Sequence, residues 1–433
     1  MKKIIALLLA LVMVFALAAC AAKETPKTDG PAQTEEPAKT EEPAQAEEPA
    51  QTEEPTAEAK TVKVGLICIG DENDQGYTYN FMRGKEAATD ALAAKGINVE
   101  WVVKYNIGED SGCEDANIEL AEAGCSIIFN NSYGHEPFML KVAPDYPEVQ
   151  FVGCTNCGSW GDDLDNTHNA FANIYEGRYL AGVAAGMKLQ QLIDEGTIQP
   201  EEAVIGYVGA YSFAEVISGF TAYYLGARSV CPTVTMKVQF VGSWSDATEE
   251  ANAASALCDM GCKLISQHSD NTTPATVAQS KGAFHTGYNN DMTEIAPAAS
   301  IIGTRIDWSV YFEYAIEAVA NGQSFDQDWC HGMDQGAVVL TKLNEEIAAP
   351  GTAEKLAEVE KQLHDGTLQV FDTSTFTVEG AEVTTALALD TDGDFTPDSE
   401  EAVFDGAFHE SYFQSAPYFA LSIDGIEWLN SAF

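Results

Sequence analysis

The chain has 433 residues and a formal net charge of -45, with 67 Asp and Glu against 22 Lys and Arg. Nucleic-acid binding runs on Lys and Arg contacts to phosphate, so this balance excludes a nucleic-acid partner. The length suits two or more domains, and a 45% hydrophobic content is enough for real cores.

In chain order, Lys2 and Lys3 precede an apolar run from Ile4 to Leu17 that closes on Leu17, Ala18, Ala19 and Cys20. This is the pattern of a lipoprotein signal peptide over residues 1–20. The run is shorter than the about 20 apolar residues a membrane-spanning helix needs. Cys20 is the expected lipidation site, and its acyl chains, at about 0.8 kcal/mol per buried methylene, would anchor the chain to the outer face of the cell membrane. Residues 21–60 contain no aromatic side chain and repeat PAQTEE, PAKTEE, PAQAEE and PAQTEE. Fixed proline φ angles, repelling glutamates and the lack of apolar surface predict a disordered, extended tether.

Beyond the tether, short apolar runs alternate with amphipathic stretches, the signature of parallel sheets with crossover helices. Strands are expected at Val62–Ile69, Val99–Val103, Ser126–Phe129, Val149–Gly153, Val204–Val208, Thr235–Val241, Lys263–Ser266, Ala283–Gly287 and Ser300–Gly303. Helices are expected at Phe81–Lys95, Glu114–Ala123, Tyr175–Gln190, Glu215–Ala227, Thr248–Met260, Pro274–Lys281, Ser309–Ala320 and Ala353–Gln362. Ligands of open α/β sheets sit outside the carboxyl ends of the strands. Those ends read GDENDQGY, NNSYGHE, CTNCGSW, GAYSF, GSWSDA, QHSDNT, YNNDM and RIDW. Aromatic faces with a few directed polar groups suit a small flat ligand. Asp and Asn in such loops also cap helices, and Asp246 before Thr248 and Asp270–Thr272 before Pro274 stand where caps belong.

Lys63–Gly84, KVGLICIGDENDQGYTYNFMRG, resembles the opening of the basic membrane protein family of substrate-binding lipoproteins of ABC importers. YPEVQFV, YEGRYLAGVAAG, IGYVGAY, GARSVCPTVTMKV, DMGCKLISQHSDN and TGYNNDM follow in the family's order, so the resemblance covers roughly 61–325. It implies a type I periplasmic-binding-protein fold, two Rossmann-like α/β lobes with parallel sheets joined by a multi-crossing hinge. The expected lobes are 61–170 with 286–325, and 171–285 with 326–433, the latter carrying a C-terminal extension. The resemblance further implies a purine nucleoside or purine base as ligand, ABC permease subunits as partners, and no cofactor. The positions that match the family's ligand contacts are Asn73, Asp74, Tyr77, Tyr133, Tyr211, Trp244, Asp246, His268 and Asp270, with Asp291 as the ribose contact. Nucleoside-binding members carry a lysine near the last hinge strand, where this chain has Thr304–Trp308.

Other readings compete with these expectations. His268 with Asp270, and His135 with Glu136, are the candidates for acid–base catalysis, but no GxSxG, HExxH or GxxxxGKS motif accompanies them. A surface sensor would use the same pocket, and a sugar is the other ligand class considered. DTDGDFTPDSEE places Asp390, Asp392, Asp394, Thr396, Asp398 and Glu401 at calcium-loop spacing, but Phe395 stands where the turn needs glycine. Cys154 with Cys157, and Cys258 with Cys262, are expected as buried thiols or a local disulfide.

Overall fold

A computed structural model describes residues 60–155, 164–389 and 397–431. The signal peptide with Cys20, nearly all of the tether and the loop holding Cys157 therefore lie outside the described residues, as do Asp390–Thr396. Among the described residues no helix is long and apolar enough to cross a membrane.

The chain runs β1 (Lys60–Ile67), α1 (Tyr77–Ala94), β2 (Ile97–Lys104), α2 (Ser111–Glu122), β3 (Ile127–Asn130), α3 (Glu136–Val142), β4 (Gln150–Gly153) and β5 (Thr167–Ala172). It continues through α4 (Ile174–Asp194), β6 (Val204–Gly209), α5 (Ala214–Val230), β7 (Thr235–Phe240), α6 (Ala247–Asp259), β8 (Leu264–Gln267), α7 (Thr273–Lys281), β9 (Phe284–Tyr288) and β10 (Ser300–Ile306). α8 (Trp308–Asn321), β11 (Asp328–His331), β12 (Val338–Leu340) and α9 (Thr352–His364) follow. One sheet has the order β11-β5-β4-β3-β1-β2 and is parallel throughout. The other runs β12-β10-β9-β8-β6-β7 and ends on a short strand, Ile426–Trp428, with only β12 antiparallel. Parallel sheets carry helices on both faces, which is why β3 and β8 are buried along their whole length.

The lobe boundaries differ from those expected. β9 and β10 belong to the second sheet, so residues 286–306 leave the first lobe, while α8 packs on α1 in the first. β11 adds an edge to β5 of the first sheet although it falls after residue 326. The chain therefore passes between lobes after β5, after β10 and again between β11 and β12. β5 escapes the sequence reading because THNAFA opens on polar residues. Inside the sheet they are paired: His168 contacts the Asp326 carbonyl and the Gln150 side chain, and Asn169 donates to Asp328.

α4 and α5 cross almost backbone to backbone. A Cβ on Gly182 would lie 1.9 Å from the Tyr223 carbonyl oxygen, and one on Gly226 would lie 2.0 Å from that of Tyr179. The C-terminal extension completes the second lobe, with Phe371, Phe376, Phe408, Tyr418, Phe419 and Ile423 in its core. It also reaches the first lobe, because Ser415 donates its N–H and hydroxyl to Asp328 and accepts from Asn169. Between these attachments the buried Glu410 accepts from the hydroxyls of Ser218 and Ser411.

Candidate ligand-binding site

The carboxyl ends of the two sheets face one another across a cavity of about 510 Å³, its open mouth included. From the first lobe it is lined by Ile69, Tyr77, Asn131, Ser132, Tyr133, Cys154, Thr155 and Phe171. From the second it is lined by Phe213, Glu215, Trp244, His268, Asp270, Tyr288 and Asn289.

Five of the ten expected residues, Tyr77, Tyr133, Trp244, His268 and Asp270, stand in this wall. The other five are outside it, each for a local reason. Asp74 spends its carboxylate on the N–H groups of Gly76, Thr78 and Tyr79 at the start of α1, and Asn73 is exposed in the preceding turn, its N–H given to Asp71. Asp246 caps α6 through Thr248 and Glu249. Asp291 accepts from the N–H and hydroxyl of Thr293. Tyr211 lies behind the wall, stacked on Phe213 at 5.1 Å and edge-on to Trp244 at 5.0 Å. Capping of this kind satisfies helix-start donors that otherwise lack a partner.

Phe213, Glu215, Tyr288 and Asn289 are wall residues that the sequence reading did not single out. Phe213 and Tyr288 stand in strand ends already noted, GAYSF and YNNDM, beside the residues chosen there. Phe213 projects to the first lobe, where its ring stacks on Tyr133 with centroids 5.3 Å apart and planes 19° from parallel. Asn289 takes a left-handed backbone, φ 59, which Asn tolerates better than most residues.

The lobes touch beside the cavity. Tyr77 donates its N–H to Asp270 at 3.1 Å, and Asn290 donates to Gln75 at 3.0 Å. Gly76 makes the contact possible, since a Cβ there would lie 2.5 Å from the Asp270 backbone.

Behind the wall sits a buried Arg178. It donates to the Gln267 carbonyl at 2.9 Å and to His268 Nδ1 at 3.1 Å, and its guanidinium lies 3.3 Å from the Tyr288 ring centre. His268 Nε2 is 2.6 Å from Glu215. Burial lowers the His268 pKa against the pull of Glu215. Burial also raises the Asp270 pKa well above the usual carboxylate range.

Neither candidate acid–base pair is hydrogen-bonded as a pair. His268 bonds to Arg178 and Glu215, and His135 contacts the Ile107 carbonyl while burial lowers its pKa. No cluster of three or more His, Cys, Asp or Glu among the described residues is arranged to hold a metal. Glu401, the described end of the acidic loop, accepts from the Thr385 hydroxyl and the N–H groups of Ala386 and Val403. The described cysteines, Cys258 and Cys262 among them, are free thiols.

The model of the Bmp family, ABC transporter substrate-binding protein PnrA-like, matches residues 61–370. A purine-binding protein of Brucella abortus is 33% identical over 316 residues, which are 73% of this chain and 84% of that protein. A Haloferax volcanii protein provisionally named an ABC transporter glucose-binding protein is 28% identical over 328 residues, 75% of this chain and 78% of that one. Among solved structures, an ABC transporter solute-binding protein of Conexibacter woesei shares the fold with a TM-score of 0.55 at 18% identity, covering 71% of this chain and 98% of its own.

Proposed function

The chain belongs to the Bmp family of PnrA-like ABC transporter substrate-binding proteins, proteins that bind a substrate without transforming it, and from that premise we propose that its ligand is a purine. The observation that carries this reading is the parallel pair of Tyr133 and Phe213, one from each lobe, at a cavity whose remaining wall is rich in hydrogen-bonding groups. A flat ring entering between the two faces exchanges one aromatic stack for two. Its polar rim then meets Asn131, Asn289, Glu215 and Asp270. Stacking supplies burial and the rim contacts supply selection, since each buried polar group left unpaired costs about 1–3 kcal/mol. The similarity to a purine-binding protein supports the same reading. Of the expected contacts, Tyr77, Tyr133, Trp244, His268 and Asp270 are retained in this proposal, joined by Phe213 and Asn289. Asp291 is left out, and with it the ribose contact, so a free base is favoured over a nucleoside.

A sugar is the second reading, supported by the Haloferax relative and by the Asn, Ser and Thr side chains of the wall. Calorimetric titration separates them. Saturable one-site binding of a purine, with glucose silent, is the expected result, and glucose binding without a purine response would overturn the purine reading.

Substrate-binding proteins of importers work outside the cytoplasm. We propose that Cys20 is lipidated, that residues 21–60 tether the receptor to the membrane, and that permease subunits receive the ligand. Mass spectrometry of the purified protein should find an acylated Cys20, and Cys20→Ser should release the chain from the membrane fraction. An unmodified Cys20 on membrane-bound protein would contradict the anchor.

A further inference from the structure

Resting on the purine reading, we propose that Glu215 selects the ligand by accepting N–H donors from the edge of its ring, and that Arg178 and His268 are positioning residues that hold Glu215 for this role.

The geometry works inward from Arg178. A guanidinium has donors only, so the His268 Nδ1 that faces it at 3.1 Å must be bare. The Tyr207 hydroxyl, 3.3 Å away, shares the same nitrogen. The ring proton is therefore on Nε2, aimed at Glu215 Oε2 at 2.6 Å. Arg178 cannot swing away, because Gln267 and the Tyr288 ring fix its other faces.

Glu215 thus enters the cavity wall with one oxygen held, its side chain only 11% exposed. Its second oxygen has the Tyr288 hydroxyl at 3.4 Å as a long contact. A carboxylate offers about four acceptor sites, so capacity is left for a ligand. A second observation points the same way. Asn289, fully buried in the same wall, directs its Nδ2 to Asp270, and its Oδ1 has no protein partner. Two acceptors short of donors, in a wall without Lys or Arg, fit a neutral ring that brings amino or lactam N–H groups. They disfavour a phosphorylated ligand, whose charge would meet Glu215.

The test compares unsubstituted purine, which carries only its imidazole N–H, with adenine, hypoxanthine and guanine, which add amino or lactam donors. Wild-type protein should bind at least one of the three donor-bearing bases more tightly than unsubstituted purine. Glu215→Gln keeps the shape and removes the charge. It should weaken the tightest of the three by about tenfold or more, the scale of a charge-assisted hydrogen bond, and change unsubstituted purine by less than about threefold. Glu215→Asp, which keeps the charge but withdraws it by one methylene, should lose the same preference and serves if the amide variant folds poorly. Arg178→Lys, which has no planar fork, should lower the ratio of the two affinities with binding of unsubstituted purine retained. An unchanged ranking in Glu215→Gln, or equal weakening of every base, would overturn the role of Glu215 and leave the purine reading standing. A wild-type protein that binds none of the four would end both.

Discussion

At the residue scale, Gly76 at the lobe contact and Glu410 in the C-terminal extension each have a measurable consequence. Gly76 leaves room where the two lobes meet. A methyl group there meets the Asp270 backbone at 2.5 Å and must push the lobes apart. Gly76→Ala is expected to fold normally, to weaken ligand binding, and to raise the radius of gyration of the liganded protein in solution scattering. Unchanged affinity would show that this contact does not govern closure. Glu410 is buried, and burial pushes its carboxyl up to about 7. The folded state therefore holds a proton that the unfolded chain, titrating near 4.5, releases earlier. Its stabilising contribution is complete below about pH 4.5 and is lost as pH rises toward 7. Glu410→Gln should melt closer to wild type at pH 5 and above it at pH 8; Glu176, also raised to about 7, remains in both proteins. An identical difference at both pH values would contradict this. Strand-end aromatics and His268 were legible in the sequence because they recur at the ends of apolar runs. Of the expected carboxylates Asp270 alone stands in the wall, because composition cannot tell an Asp that faces a cavity from one that caps a helix, as Asp74 and Asp246 do. Nor can it say that Phe213, two residues after Tyr211, is the ring that faces the other lobe.

At the element scale, the sequence carried most strands and helices because buried parallel strands read as apolar runs and their helices as periodic ones. It missed β5, whose polar residues are satisfied inside the sheet, the short strands β11, β12 and Ile426–Trp428, and α3, a short helix. It also misplaced β9 and β10, since a strand's lobe is decided by pairing partners far away in the chain. The α4–α5 crossing depends on glycine for closeness, with Gly226 against the Tyr179 carbonyl. Gly226→Ala would gain helix propensity in isolation yet overpack this contact, for a net loss of about 1–3 kcal/mol in chemical denaturation. A neutral or stabilising effect would show that the helices can separate freely.

At the scale of the whole molecule, three chain crossings and the C-terminal extension tie the lobes around one cavity. The family match ends at residue 370, yet the aromatic residues after it complete the second core, and Ser415 reaches back to the first lobe. The acidic composition and the cavity wall without Lys or Arg disfavour an anionic ligand. The central claim is capture of a purine, and isothermal titration calorimetry of the purified receptor against adenine, guanine, hypoxanthine, their nucleosides, glucose and several amino acids tests it most directly. One-site binding of a purine base, weaker binding of its nucleoside, and no heat from glucose or amino acids are expected. Tight binding of glucose or an amino acid with every purine silent would contradict that claim.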